Sequence, residues 1–126
     1  RGFASLSCVY IDVNGLHELN NQKGHKAGDQ MLQFLAIILL KEFSYKNVYR
    51  IGGDEFVVIS EDINGDECEK KMNRVSQESE SHSYFISYGI KHRENELGVD
   101  RVLQEADVIM LENKKAYYTK MDRRQR

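Results

Sequence analysis

The stretch YRIGGDEFVVI, residues 49–59, constrains this chain more than any other. Two β-rich apolar runs, NVYRI and EFVVIS, meet at Gly52-Gly53, a pattern that predicts a short hairpin. Glycine reverses a chain through positive φ without steric cost, so the pair marks the turn. Two carboxylates, Asp54 and Glu55, follow at once, and a simple hairpin requires neither. Strand alternation predicts that they point to opposite faces. Either the tip is merely acidic and exposed, or the hairpin exists to hold the carboxylates.

The rest of the chain supplies the frame. SLSCVYID (residues 5–12) is β-rich and alternating, which predicts a strand, and the polar loop Val13-Asn14-Gly15 and a short helical segment, LHELNNQ, follow it. GHKAGD punctuates the chain before a stronger helix, whose Met31, Leu32, Leu35, Ala36, Leu39, Leu40 and Phe43 recur at helical spacing. After the hairpin come a loop and an amphipathic helix (DINGDECEKKMNRVSQES), a strand (YFISYGI), a polar loop through Gly98 and a helix from about residue 100 to residue 118. The order strand, helix, helix, hairpin, helix, strand, helix predicts an α/β or α+β domain, with helices packed on a mixed central sheet. We assign residues 1–118 to the domain and 119–126, ending in KMDRRQR, to a frayed basic tail.

Bulk properties exclude several classes of function. A chain of 126 residues makes about one domain with one core. A net charge of -2 gives no general attraction to nucleic acid or to anionic membrane, so an anionic ligand must be held by local groups or by metal. The longest apolar run, FLAIILL, is too short to span a bilayer, and RGFASLSCVYID lacks signal-peptide organisation. Cys8 and Cys68 have no metal or redox spacing, and His17, His25, His82 and His92 are scattered. These features read as a reduced, cytoplasmic domain without direct membrane contact. No Walker-type loop, paired-glycine dinucleotide fingerprint or His-Glu-x-x-His motif is present.

Asp12, at the end of the first strand, is the remaining acidic candidate. With that strand beside the hairpin, Asp12 and Asp54 converge on one hard cation. Magnesium is commonly held by one or two carboxylates plus substrate phosphates, and two metals about 3.5–4 Å apart activate one oxygen while stabilising another. The loop from Val13 through Leu16 opens into a helix, so its backbone N–H groups suit a phosphate chain. Taken singly, each residue also has a plain reading: Asp29 as a helix N-cap, Asn20 as a helix terminator, Lys114 as a solvated charge.

RIGGDEF (residues 50–56), DVNGLHELNNQKGHKAGD (12–29), SYGI (87–90) and EADVIMLENKKAYY (105–118) together resemble the GGDEF domain of bacterial diguanylate cyclases. The four motifs keep the family's order and spacing over nearly the whole chain. The resemblance implies a fold like the polymerase palm and the class III nucleotidyl cyclases. It implies condensation of two GTP into cyclic di-GMP with release of pyrophosphate, one GTP per subunit of a homodimer. Asp12 and Asp54 would ligate metal with help from the Val13 carbonyl, using two magnesium ions, or manganese, per site. Glu55 would be a further ligand or would deprotonate the ribose 3′-hydroxyl. Asn20 and Asp29 would hydrogen-bond guanine and Leu32 would pack on its ring. Asn14, Gly15, Leu16, His17 and Lys114 would line the phosphates, and Arg50 precedes the turn as in the family. Guanine offers an N1–H and N2–H donor pair that a buried carboxylate such as Asp29 accepts and that adenine lacks, which predicts GTP over ATP.

The chain departs from the family's commonest pattern at several places. Asn14 replaces a second aspartate, a form that also occurs in the family. His17 replaces a lysine and Tyr118 an arginine near the phosphates, and Lys115 or Lys120 are the nearest substitutes. FSYK (residues 43–46) stands where many members carry an Arg-x-x-Asp product-binding motif, so no inhibitory product site is expected. The chain opens almost on the first strand, so it reads as a piece of a larger protein with an upstream sensor. Two functions follow: an active cyclase, favoured by the intact GGDEF and Asp12, or a degenerate domain that binds GTP or a cyclic dinucleotide, or only dimerises. His17, Tyr118 and the short N-terminus favour the second.

Overall fold

The chain folds as β1 (Phe3–Asn14), α1 (Leu16–Lys23), α2 (His25–Glu42), β2 (Val48–Arg50), β3 (Glu55–Ser60), α3 (Gly65–Ser81), β4 (Phe85–Glu96) and α4 (Val99–Gln125), the order the sequence predicts. This is a computed structural model that describes residues 2–61 and 63–125. Arg1, Asp62 in the expected loop before α3 and Arg126 at the end of the expected tail lie outside the described residues. The strands form one sheet in the order β2-β3-β1-β4, and every neighbouring pair is antiparallel. The α+β class is as expected, but the sheet is not mixed. Crossover helices do join strands that run the same way, β1 with β2 and β3 with β4, as parallel connections require. Each crossover skips one place, so β3 fills the gap in the first pair and β1 the gap in the second. This is the split βαβ arrangement.

Alternation along β1 buries both of its faces. Val9, Ile11 and Val13 pack with Met31, Leu35, Ile38 and Leu39 of α2 and with Met72 and Val75 of α3. Leu6 and Cys8 pack with Val102 and Ala106 of α4 on the other face. Burying each large aliphatic side chain contributes roughly 1.5–3 kcal/mol relative to exposure, so two apolar layers hold β1 at the centre. The same parity puts Tyr10, Asp12 and Asn14 on the α4 side of the sheet.

Several boundaries differ from expectation. Only Gly24, at φ 88°, separates α1 from α2, so most of GHKAGD is helix. β4 continues through KHRENE because β1 extends to Phe3, which pairs with Glu96. α4 runs on through Lys120 to Gln125, since nothing in KMDRRQ breaks a helix and basic residues suit its C-terminal end. Asn64 caps α3, its side chain accepting the Glu67 N–H at 2.8 Å. Among the described residues, no helix is long and apolar enough to cross a membrane.

Gly89 sets the seat of α4. A Cβ there would lie 2.3 Å from the Ala106 carbonyl oxygen and 2.5 Å from the Met110 nitrogen, so helix backbone rests directly on β4. Nearby, Arg93 donates from Nε and Nη2 to the two carboxylate oxygens of Glu105, each at 2.6 Å. These contacts carry the far end of α4 over the end of β1.

Candidate active site

The β1–β3 register places Asp12 directly opposite Glu55. The Val13 N–H donates to the Asp54 carbonyl at 3.0 Å, which carries the strand pairing one step into the turn and draws Asp54 against β1. One carboxylate oxygen from each of Asp12, Asp54 and Glu55 lies within 4.8 Å of the others. The expectation of opposite faces for Asp54 and Glu55 is therefore corrected. β3 begins at Glu55, so Asp54 belongs to the tip, where strand alternation does not hold.

The tip itself also differs from a two-residue glycine turn. The Ile51 N–H donates to the Glu55 carbonyl at 3.1 Å, leaving Gly52, Gly53 and Asp54 beyond the ladder, and neither glycine adopts a positive φ. Gly52 instead leaves room for a side chain, since a Cβ there would sit 3.4 Å from Glu55 Oε1. Arg50 braces the tip from Nε to the Gly52 carbonyl at 3.3 Å and from Nη2 to the Gly53 carbonyl at 2.8 Å.

Asp12 is only 3% exposed. Lys114 of α4 donates to its Oδ2, while its Oδ1 is buried without a hydrogen-bond partner. Burial holds the Asp12 carboxyl above the ordinary carboxylate range; the Lys114 hydrogen bond pulls it down, and Asp54 and Glu55 push it up again. Burial works against the charge on Lys114, but the hydrogen bond and charge of Asp12, with Asp54, keep that amine above its usual value. Three carboxylates thus face one ammonium, with one buried oxygen unpartnered. This donor set of oxygens, short of positive charge, fits a hard divalent cation. Tyr10 adds a hydrogen bond from its hydroxyl to Glu55 Oε1 at 3.2 Å, and burial, followed by the Glu55 charge, pushes its phenol up to about 12.

The expected loop after Asp12 is mostly strand: Val13 and Asn14 belong to β1 and pair with Ile86 and Phe85, so only Gly15 separates β1 from α1. Asn14 is buried and exchanges hydrogen bonds with Ser87, Nδ2 to Oγ at 3.0 Å and Oγ to Oδ1 at 3.1 Å. Gly15 takes a left-handed conformation, φ 75°, at the N-terminus of α1 and donates its N–H to the Tyr118 hydroxyl at 3.0 Å. His17 is exposed on α1 beside Asn21, 3.2 Å from its Nδ2. Leu16 packs against the main core. The Val13 side chain is buried in that core, so only its backbone is available to the site.

The expected guanine contacts fall into two places. Asp29, Leu32 and Arg50 line one cavity of about 280 Å³ together with Phe56. Asn20 does not line it; its Oδ1 is buried without a partner against Gly28, where a Cβ would come within 1.9 Å of it. Asp29 is exposed rather than buried, and it is not a cap, because Gly24 precedes α2 at His25. Leu32 is 6% exposed and shared between the core and the cavity.

Sequence reasoning gave Tyr10 no role, took Ser87 and Gly89 only as part of the SYGI strand, and treated Tyr118 only as a lost arginine. Tyr10 carried one signal, lying two residues before Asp12 and so on the same strand face. Ser87 and Gly89 sit opposite Asp12 and Tyr10 on β4, a relation that exists only once the β1–β4 register is set.

Known proteins resemble this chain in sequence and in fold. The sequence model of the family described as "Diguanylate cyclase, GGDEF domain" matches residues 3–120. Diguanylate cyclase DgcS of Shewanella oneidensis is 29% identical over 120 residues, covering 90% of this chain and 40% of the relative. Diguanylate cyclase DgcZ of Escherichia coli is 30% identical over 120 residues, covering 87% of this chain and 40% of the relative. The chain therefore spans well under half the length of these relatives. The active GGEEF domain of a diguanylate cyclase from Vibrio cholerae has the same fold, with a TM-score of 0.81 at 22% identity over 89% of this chain and 78% of that one.

Proposed function

This chain belongs to the GGDEF family of diguanylate cyclases, and on that premise we propose that it condenses two GTP into cyclic di-GMP, each subunit of a homodimer presenting one GTP. The observation that carries the proposal is the convergence of Asp12, Asp54 and Glu55, together with a buried Oδ1 of Asp12 that has no hydrogen-bond partner. Asp12, Asp54, Glu55 and the Val13 carbonyl would hold magnesium, or manganese, two ions per site, which when bound supplies Lewis-acid charge at the reacting phosphate.

The chain's own residues do the rest. Each new bond joins a ribose 3′-oxygen to an α-phosphorus, the bond to pyrophosphate breaks, and Glu55 takes the 3′-hydroxyl proton. Asp29 accepts from the guanine N1–H and N2–H, Leu32 offers its side chain to the ring, and Asn20 turns its amide to the base. The Gly15 N–H would turn to the phosphates on leaving the Tyr118 hydroxyl, and Lys114 would reach them on leaving Asp12. Arg50 acts by holding the hairpin tip. An upstream sensor in the same protein would govern how the two subunits meet.

Mass spectrometry of products from GTP or ATP with magnesium tests the proposal, with a Glu55→Gln variant beside the parent. Cyclic di-GMP from GTP alone, and none from the variant, is expected. GTP binding without any product would overturn turnover. It would favour the reading as a regulatory nucleotide-binding domain, which one observation already supports: Lys114 and the Gly15 N–H are engaged within the chain.

A further inference from the structure

We propose that Tyr10 is a positioning residue for this reaction: its hydroxyl donates to Glu55 and holds that carboxylate toward Asp12 and Asp54. The inference rests on the reading of Glu55 as metal ligand and proton acceptor.

The geometry comes from the sheet. Tyr10 pairs with Val57 across β1 and β3, so Glu55 is its diagonal neighbour on the same face, within reach of a long side chain. On its other side Tyr10 faces Gly89, which carries no side chain and is covered by the backbone of α4. The ring also lines a cleft with Leu103, Gln104 and Asp107 of α4. Among the described residues, Tyr10 is the one side chain that donates a hydrogen bond to Glu55.

A donor is needed at that spot. Asp12, Asp54 and Glu55 repel one another, and Lys114 is paired with Asp12 rather than with Glu55. Without a partner, the Glu55 side chain gains rotamer freedom and swings away from its acidic neighbours. The Tyr10 hydroxyl removes that freedom and leaves the rest of the carboxylate for metal and substrate. Groups that orient metal ligands in this way typically change metal affinity or activity about 10–100-fold when removed.

Tyr10→Phe removes the hydroxyl and keeps the ring, and Tyr10→Leu removes both. The test compares these with the wild-type protein in three measurements: Mn²⁺ binding by electron paramagnetic resonance in the presence of GTP, steady-state cyclic di-GMP formation and thermal unfolding. For Tyr10→Phe we expect Mn²⁺ binding weakened about tenfold or more, kcat lowered to a similar extent, KM for GTP little changed and the melting temperature retained. The selective loss in Mn²⁺ binding and kcat is one that a packing role would not produce. Wild-type Mn²⁺ affinity and turnover in Tyr10→Phe, with losses only in Tyr10→Leu, would reduce Tyr10 to packing and overturn the proposal while leaving the cyclase reading intact. Absence of Mn²⁺ binding to the wild type would also overturn it. If the wild type makes no cyclic di-GMP but Tyr10→Phe still weakens Mn²⁺ binding, the positioning role stands and the cyclase reading falls.

Discussion

Lys114 of α4 forms an ion pair with Asp12 at the end of β1, although 102 residues separate them in the chain. The pair puts a protein cation on the carboxylate that would also hold metal. Lys114 thus stabilises the metal-free fold, and on the proposed function a metal that takes Asp12 would release it toward the phosphates.

Lys114→Gln should destabilise the metal-free protein by about 1–3 kcal/mol, because the nearly buried Asp12 loses its charged partner. Mn²⁺ should then stabilise the variant more than the wild type, since it no longer competes with an ammonium. Urea unfolding with and without Mn²⁺ measures both effects. Equal stabilisation of the two proteins would mean that metal and lysine do not share Asp12.

The Asp12 carboxyl is held above its ordinary value of 3.8, first by burial, so folding favours its protonated form. Its contribution to metal-free stability is fully present below the unfolded-state value and is lost as pH rises through the raised folded-state value. Relative to Asp12→Asn, which does not titrate, the wild type should lose stability as pH rises above about 4, the ordinary carboxylate value. Mn²⁺ should reverse that trend, because metal requires the carboxylate form. Denaturation midpoints for both proteins from that pH upward provide the check, and parallel curves would contradict the shifted carboxyl.

Gly89→Ala should cost roughly 1–3 kcal/mol or more, because its Cβ would meet the backbone of α4 at 2.3 Å and 2.5 Å rather than a movable side chain. Relief requires α4 to lift, which also withdraws Lys114 from Asp12. A thermal scan and a crystal structure of the variant would detect both. A variant as stable as the parent with α4 unmoved would refute the seating role.

Gly28→Ala should separate folding from nucleotide binding. Its Cβ would meet the side-chain end of Asn20, at 1.9 Å from Oδ1, and that amide can swing away cheaply. The melting temperature should change little while affinity for GTP falls several-fold, as read by calorimetry. Unchanged GTP affinity would remove Asn20 from the base contact.

The hairpin was legible because two β-rich runs meet at a glycine pair, and Asp12 because a strand ends there. β1 followed from its alternating, β-rich run and α2 from the helical spacing of its apolar residues. Local patterning of this kind depends on periods of two and of about 3.6 residues, which a sequence displays directly. The sheet was misread as mixed because a crossover helix reports the direction of the strands it joins, not which strand lies between them.

The sequence by itself determined which residue types the chain carries to the end of β1: three carboxylates, a glycine loop, a lysine on the last helix. Tertiary structure alone decided that Asp54 and Glu55 converge, that Tyr10 reaches Glu55, and that Tyr118 takes the Gly15 N–H. Those relations depend on strand register and on how closely α4 settles over Gly89. Register and seating are chosen by packing the whole core at once, so no local stretch of sequence encodes them.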